Sequence, residues 1–421
     1  MNTAFVKAYE TLSAVYNDGA FSTLTLNRQL AFCKQRDKAL VTKIVYGVLE
    51  NDILLQYIIS KYARKMPKGD TLIFLKIGVY CLKELSIPSY AVVNDVAELA
   101  KISEDRRIVG FVNATLKNIA KTIDDFDEYP TDFEEMLSVK YSYPLWAVKK
   151  LVKDYGSDVA TKIVSAKSDN RTVVRFANGA NARQIADRNG ATLQSTVFDD
   201  AFFVSGNLGE PTSEFTPQGL ASMAIARICA SFLPKKFLDC CSAPGGKAVY
   251  FKQLCPQSDV VACDIHPHRV KLIESYASRM GVELTTKCLD MAERFDDFAD
   301  GFDLVLCDAP CSGFGVVDSR PDIKIFRENK DISDLMKLQY SILDNCSAYV
   351  KKGGALVYST CTVFDNENGQ TIRKFLKNHP DFSFGKIVLP QFPDANGQES
   401  YQFLPYKDGT QGFFVAVLKR N

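Results

Sequence analysis

At 421 residues the chain is long for one domain, so two or three are expected. Its composition, 46% hydrophobic and 24% charged, is ordinary for a soluble globular protein. The apolar runs fall well short of the roughly 20 residues that a membrane-spanning helix needs, so no such helix is expected. The opening "MNTAFVKAYETL" has no uninterrupted apolar stretch, reads as no signal peptide, and points to a cytoplasmic protein.

Charge is uneven along the chain although the net value is only +1. Residues 1–121 hold 17 Lys/Arg against 11 Asp/Glu, residues 122–139 hold seven acids and no base, and residues 140–188 hold 10 Lys/Arg against four acids. Two basic regions are compatible with a polyanionic partner, and equally with solvated helix faces. There are 12 cysteines, no CxxC pair and three histidines (His266, His268, His379). A chain of this size without a secretion signal should keep its thiols reduced, and no metal site is expected.

Residues 1 to about 125 read as a helical bundle. In "RDKALVTKIVYGVLENDILLQYIISKYA", Leu40, Ile44, Val48, Leu55, Ile58 and Ile59 recur at helical spacing. "DTLIFLKIGVYCLKEL", "AVVNDVAELAKI" and "RIVGFVNATLKNIAKTI" continue the pattern, with breaks at "MPKGD" and "SIPSY". The acidic "DDFDEYPTDFEE" reads as a linker. Residues 126–225 mix helix ("PLWAVKKLVKDYG") with short strands ("RTVVRFA", "AFFVSG"), a small α+β region. From 226 to 421 strands alternate with helices: "KKFLDCCSA", "DVVACDI", "ELTTKCLD", "FDLVLCDAP" and "GALVYSTCTV" are the strands of a doubly wound parallel sheet. "YQFLPY", "KDGT" and "QGFFVAVLKR" end the chain as an antiparallel hairpin.

In such a sheet a ligand sits at the carboxyl ends of the strands. Those ends carry residues Asp239 to Lys247, with the loop Cys241, Ser242, Ala243, Pro244, Gly245, Gly246 and Lys247, then Asp264, Asp290 and Asp308. The glycine pair lets backbone approach a ligand closely, and Asp264 stands where an acid accepts hydrogen bonds from a ribose. Neither GxGxxG nor GxxxxGK[ST] is present, so S-adenosylmethionine is favoured over a dinucleotide or a nucleoside triphosphate. A strand-end aspartate can also simply cap the next turn, and that reading is strongest for Asp290.

Two cysteines follow strand ends, Cys311 in "DAPCSG" and Cys361 in "YSTCT". A thiolate that adds to carbon 6 of a pyrimidine makes carbon 5 nucleophilic enough to take a methyl group, and elimination then frees the thiol. Either cysteine suits that role on position alone. Asp308 lies close enough in sequence to hold the edge of the base. Cys240, Cys263, Cys288 and Cys307 read as packing residues.

"CSAPGGK", "DAPCSG" followed by "RPDIK", and "VYSTCTVFDNEN" resemble the RNA (cytosine-5) methyltransferases of the RsmB/NOL1/NOP2/Sun family. "DKALVTKIVYGVLEN", "AVVNDVAELAK" and "GFVNATLKNIAK" resemble the NusB-like helical domain of its bacterial 16S rRNA branch. The resemblance implies a NusB-like RNA-binding domain (1–125), a linker and small α+β domain (126–225), and a Rossmann-like methyltransferase domain (226–421). It implies action on carbon 5 of a cytosine in 16S rRNA or a small-subunit assembly particle, and the chain is expected to be a monomer. Cys361 would be the nucleophile and Cys311 would assist product release. Residues 241–247 would bind S-adenosyl-L-methionine with Asp264 at the ribose, Asp290 by the adenine and Asp308 between methionine and base. The alternative is an idle RNA-binding assembly factor. The chain departs from the family pattern at Asp318 and Ser319, where relatives carry arginines, and at Gly219, where an acid is usual.

Overall fold

A computed structural model describes residues 3–166 and 172–421; Arg171, the first residue of the expected strand "RTVVRFA", lies outside them. The chain forms two compact units, Met1–Ser165 with Val317–Arg327, and Ala166–Val316 with Glu328–Asn421. This division differs from the expected limits at 125 and 225. The helices Phe133–Lys140, Leu145–Tyr155 and Ser157–Ser165 group with the first unit, and the α+β residues after them with the second.

The first unit is all helical among its described residues. Its core is built mostly from the expected periodic positions: Ile44, Val48, Leu55, Ile58 and Ile59 are buried, joined by Phe5, Leu12, Phe74, Val96 and Leu116, while Leu40 is only partly buried and packs against this core. Chain breaks fall at the predicted punctuation, between Tyr62 and Asp70 and between Glu84 and Ser89. The acidic stretch is partly structured, because the side chain of Asp132 accepts the Glu135 N–H and so starts the helix Phe133–Lys140. One buried ion pair lies inside: Lys76 Nζ donates to Asp52 at 2.5 Å, and Tyr16 (2.6 Å) and Gln56 (2.7 Å) also donate to that carboxylate. Burial lowers the Lys76 pKa, and Asp52 opposes the shift.

Residues Val317–Arg327, which begin six positions after Cys311, belong to this helical unit. They hold the family departure Asp318–Ser319 and the short helix Asp322–Phe326. Asp322 accepts a hydrogen bond from Ser22 at 2.7 Å, Ile325 packs against the helical core, and Lys324 Nζ donates to the Glu50 carbonyl at 2.8 Å beneath the Tyr143 ring. Burial depresses the Lys324 pKa to about 8 despite Glu50 and Asp318.

The second unit holds two sheets. Strands β1 (Thr172–Phe176), β2 (Thr192–Ser195), β3 (Ala201–Ser205) and β4 (Phe215–Pro217) form an antiparallel sheet in the order β2-β3-β1-β4. The larger sheet contains β5 (Lys236–Asp239), β6 (Asp259–Asp264), β7 (Thr285–Cys288), β8 (Phe302–Asp308), β9 (Val350–Thr360), β10 (Phe382–Phe384), β11 (Ser400–Gln402) and β12 (Phe414–Arg420). Its order is β7-β6-β5-β8-β9-β12-β10, with β11 also on β12. The five strands from β5 to β9 are parallel, and β12 runs antiparallel to β9, β10 and β11. Buried runs such as "LVLC" in β8 and "ALV" in β9 are apolar because helices cover both faces. The β11–β12 pair is the expected terminal hairpin, with a longer connection than a tight turn at "KDGT". Pro405 starts a helical turn, Pro405–Asp408, and Asp408 ties back to the Leu404 N–H and the Tyr401 hydroxyl.

Removing one partner of a buried ion pair leaves the other charge uncompensated. Asp52→Ala should therefore destabilise the helical unit by about 3–5 kcal/mol, read by urea denaturation followed in the far-UV; an unchanged midpoint would contradict this account of the pair.

Candidate active site

From β5 the chain winds through β6 and β7 to one side and then returns to place β8 on the other, so the strand order reverses between β5 and β8. The crevice at such a reversal is where doubly wound sheets hold ligands. The residues expected from sequence meet there. After β5 the loop folds back: Ser242 N–H donates to the Cys263 carbonyl (2.8 Å) and Gly245 N–H to the Ser242 carbonyl (2.7 Å). Gly245 has φ 103°, in the left-handed region, and caps the helix Gly246–Leu254. This backbone conformation favours glycine, and a Cβ there would also sit tightly, 3.3 Å from the Ile273 backbone.

Asp264 ends β6 and is buried; it accepts the His266 N–H at 3.1 Å and lies 3.4 Å from Arg269. Arg269 also donates to the Ala243 carbonyl (3.2 Å), linking the two strand-end loops. Asp290 is half-exposed and accepts the Ala292 N–H at 2.9 Å, the local turn bond that the capping alternative describes.

The loop is buttressed by a residue that sequence reasoning passed over. Arg175 of β1 is buried; its guanidinium donates to Gln218 (2.7 Å) and to Gln253, and stacks 4.3 Å over the Tyr250 ring. Gln218 in turn donates to the Gly246 carbonyl at 3.0 Å. The small sheet is thus wired to the glycine loop. A Cβ on Gly219 would fall 2.5 Å from the Gln411 amide, so the acid usual at this position would displace Gln411.

At the centre, Lys247 Nζ donates to Asp308 at 2.7 Å, and Ser359 donates to the other oxygen of the same carboxylate at 2.5 Å. The parallel register explains the second contact, since Asp308 and Ser359 are partners across β8 and β9. Burial works against the Lys247 charge, but Asp308 outweighs it and leaves the pKa raised; Asp239 and Cys361 act in the same direction. Asp239, at the end of β5, stands among the strand-end residues expected from sequence, but its lack of partners was not expected. Neither of its carboxylate oxygens, nor the Ser242 hydroxyl beside it, makes a hydrogen bond of regular geometry, and both residues are buried. Desolvation pushes the Asp239 pKa up to about 7, with Asp308 adding and Lys247 opposing. A buried, unsatisfied carboxylate and hydroxyl beside a glycine loop suit a polar, cationic ligand group.

Beyond Asp308 and Ser359 the two strands lead to the two cysteines. Cys311 and Cys361 sulfurs lie 3.1 Å apart, and the Cys361 N–H donates to the Cys311 sulfur at 3.2 Å. The hydrogen bond with Cys361 and then burial raise the Cys311 pKa well above its ordinary value, keeping it a thiol. Gly315 N–H donates to the Cys361 carbonyl (2.9 Å), and a Cβ on Gly315 would lie only 1.7 Å from the Gly412 carbonyl oxygen. The other cysteines divide. Cys240, Cys263 and Cys307 are buried as expected, and burial pushes Cys240 and Cys263 up to about 12. Cys288 is exposed rather than packed, because β7 is an edge strand with most side chains in solvent. Among the described residues no group of His, Cys, Asp and Glu could hold a metal ion, and no helix is long and apolar enough to cross a membrane.

A family model described as 16S rRNA methyltransferase RsmB/F matches residues 234–419, and one for the NusB family matches residues 6–121. The probable ribosomal RNA small subunit methyltransferase B of Bacillus subtilis is 31% identical, with 98% of each chain covered. Ribosomal RNA small subunit methyltransferase B of Vibrio vulnificus is 30% identical, with 99% of each covered. Among solved structures, PH0851 is similar over 100% of this chain and 99% of its own at TM-score 0.80 and 20% identity. NSun6 from Pyrococcus horikoshii is similar over 65% of this chain and 97% of its own at TM-score 0.54 and 20% identity. At these identities the two structures speak to the fold.

Asp239 makes a pH prediction. Its folded pKa of about 7 lies above the unfolded value near 4, so between those values the unfolded chain releases a proton that the folded chain keeps. Its contribution to stability therefore falls as pH rises from about 4 to about 7. Asp239→Asn removes that loss, so the variant should gain on the parent in thermal denaturation at pH 8 relative to pH 4.5. A difference independent of pH would refute the assignment.

Proposed function

We propose that this chain, which belongs to the 16S rRNA methyltransferase RsmB/F family, transfers a methyl group from S-adenosylmethionine to carbon 5 of a cytosine in 16S rRNA. The observation that carries the reading is the pair of half-buried sulfurs 3.1 Å apart at the ends of adjacent parallel strands, beside the Lys247–Asp308 pair. Methylation of a nitrogen or oxygen needs no thiol, whereas carbon 5 of cytosine needs a nucleophile at carbon 6.

The cofactor fits the residues present. Gly245 and Gly246 leave room at the mouth of β5, and Asp264 offers a carboxylate at the end of β6 for ribose hydroxyls. The unsatisfied Asp239 carboxylate and Ser242 hydroxyl offer partners for a charged amino-acid moiety. When bound, S-adenosylmethionine supplies an electrophilic methyl group on a sulfonium. Asp290, engaged in its own turn, is assigned to the adenine side.

The chain's own residues supply the rest. Lys247 carries positive charge that interacts with Cys361, and a nearby cation favours the thiolate form of a cysteine. Cys361 adds to carbon 6, and Asp308, fixed by Lys247 and Ser359, faces the polar edge of the base. After methylation a base removes the carbon-5 proton. The electron pair returns to the 5,6 double bond, the carbon–sulfur bond breaks, and Cys361 departs as thiolate. The Cys311 thiol lies in hydrogen-bond range to stabilise that departing charge. The helical unit serves as the RNA-binding part, and the protein acts in the cytoplasm as a monomer on rRNA or an assembling small subunit.

Incubation with labelled S-adenosylmethionine and 16S rRNA from a strain lacking the protein should yield 5-methylcytosine, located by bisulfite sequencing. Its absence in the presence of bound cofactor would instead favour an idle assembly factor. Cys361→Ala should abolish any covalent RNA complex on denaturing gels. Cys311→Ala should let the complex accumulate and slow turnover by about 100-fold or more; the reverse pattern would exchange the two roles.

A further inference from the structure

We propose that Glu367 is the positioning residue that sets the two thiols against each other, by clamping Ser312 and Thr362, the residues that follow Cys311 and Cys361. The inference rests on the covalent reading above for its catalytic meaning, but its geometry stands independently.

Glu367 is fully buried in the loop between β9 and the helix Gly369–Asn378. One carboxylate oxygen accepts the Ser312 N–H (2.9 Å) and the Gln339 amide (2.8 Å). The other accepts the Ser312 hydroxyl (2.6 Å) and the Thr362 hydroxyl (3.2 Å). The Ser312 and Thr362 hydroxyls are themselves 2.8 Å apart. Among the described residues no Lys, Arg or His forms an ion pair with this carboxylate. Four neutral donors converge on it from three places: the loop after β8, the loop after β9, and the long helix Asn329–Tyr349 that carries Gln339.

A buried charge without a counter-ion is an unfavourable choice for packing alone. What a carboxylate offers here is acceptor capacity on two oxygens within one small group, enough to seize both loops at once. The surroundings hold its own loop in turn. The Tyr358 hydroxyl donates to the Glu367 carbonyl at 2.7 Å. The next residue, Asn368, accepts from Thr360 (2.6 Å) and donates to the Thr362 carbonyl (3.0 Å) and to Gln402 (2.8 Å). The clamp is therefore anchored on β9 and on the strand pair at the end of the chain. It acts one residue away from each sulfur and touches neither. Its negative charge has a second effect in the same direction: behind the Cys361 contact and burial, it helps to keep Cys311 in the thiol form that release requires.

The test reads thiol placement directly. In the native full-length protein, diamide should oxidise Cys311 and Cys361 to a disulfide, each thiol losing one hydrogen to the azo bond, with the linked peptides counted by mass spectrometry. Glu367→Ala should slow that reaction by about tenfold or more at a temperature well below its own unfolding. Glu367→Gln should stay within about threefold of the parent, because its carbonyl keeps the Ser312 and Gln339 donors while the two hydroxyls can turn to accept. Thr362→Val removes a single donor and should move the rate in the same direction as alanine, which keeps the test decisive if Glu367→Ala folds poorly. With 16S rRNA and cofactor, Glu367→Ala should accumulate the covalent complex as Cys311→Ala does, and the double variant should be no worse than Cys311→Ala alone. A folded Glu367→Ala that oxidises at the parental rate overturns the inference. So does one that loses activity in proportion to its stability without accumulating a complex. If the parent and Cys311→Ala form no complex with RNA while Glu367→Ala still oxidises slowly, the positioning role stands and the covalent reading falls.

Discussion

Asp308 and Ser359 are opposite one another on adjacent parallel strands, and the arrangement of the site follows from that pairing. A shift of one residue would turn Ser359 to the other face of the sheet and remove a donor from the Asp308 carboxylate. The same register brings the two chain segments out of the sheet side by side. Three residues after Asp308 comes Cys311, two residues after Ser359 comes Cys361, and their sulfurs meet. Backbone bonds carry the pairing past the strand ends: the Ala309 N–H donates to the Ser359 carbonyl and the Gly315 N–H to the Cys361 carbonyl. Gly315 is needed because the Gly412 carbonyl occupies the space where a side chain would begin.

Charge at this crevice is arranged unequally. Lys247 is held by Asp308 at 2.7 Å and neutralises part of the acid cluster, while Asp239 lies deeper, without a regular hydrogen bond, and carries a strongly raised pKa. Two carboxylates near one ammonium cannot both be fully compensated, so the deeper one bears the larger desolvation penalty. A cationic ligand group placed beside such a carboxylate would stabilise it.

Much of this was legible in the sequence. The apolar period separated helices from parallel strands, and the strand ends named the glycine loop, Asp264, Asp308 and both cysteines in advance. What escaped had a common cause: it depends on contacts between residues distant in the chain. Nothing local marks Asp239 as unpaired, since whether a strand-end acid finds a donor depends on the neighbouring loops. Arg175 reads as an ordinary strand residue until the small sheet packs and directs it at Gln218 and Tyr250. Cys288 looked like its buried neighbours because spacing alone cannot tell an edge strand from a central one. Residues Val317–Arg327 carry no compositional sign that they fold with the helices. Their place is set by Ser22, Glu50 and Tyr143, all more than 170 residues earlier.

On position alone the two cysteines are alike, only the family resemblance tells them apart in the sequence, and their surroundings in the structure differ. A thiol is a better nucleophile the more easily it ionises near a cation, and a better hydrogen-bond donor the more firmly it keeps its proton. Lys247 interacts with the Cys361 side of the pair, and the buried Glu367 carboxylate with the Cys311 side. The ammonium and the carboxylate thus bias the two sulfurs in opposite senses although these are only 3.1 Å apart. Had both charges been positive, both thiols would tend to ionise, and two adjacent thiolates would repel. With one charge of each sign, the carboxylate helps to hold the proton on Cys311, whose pKa its contact with Cys361 and burial already raise.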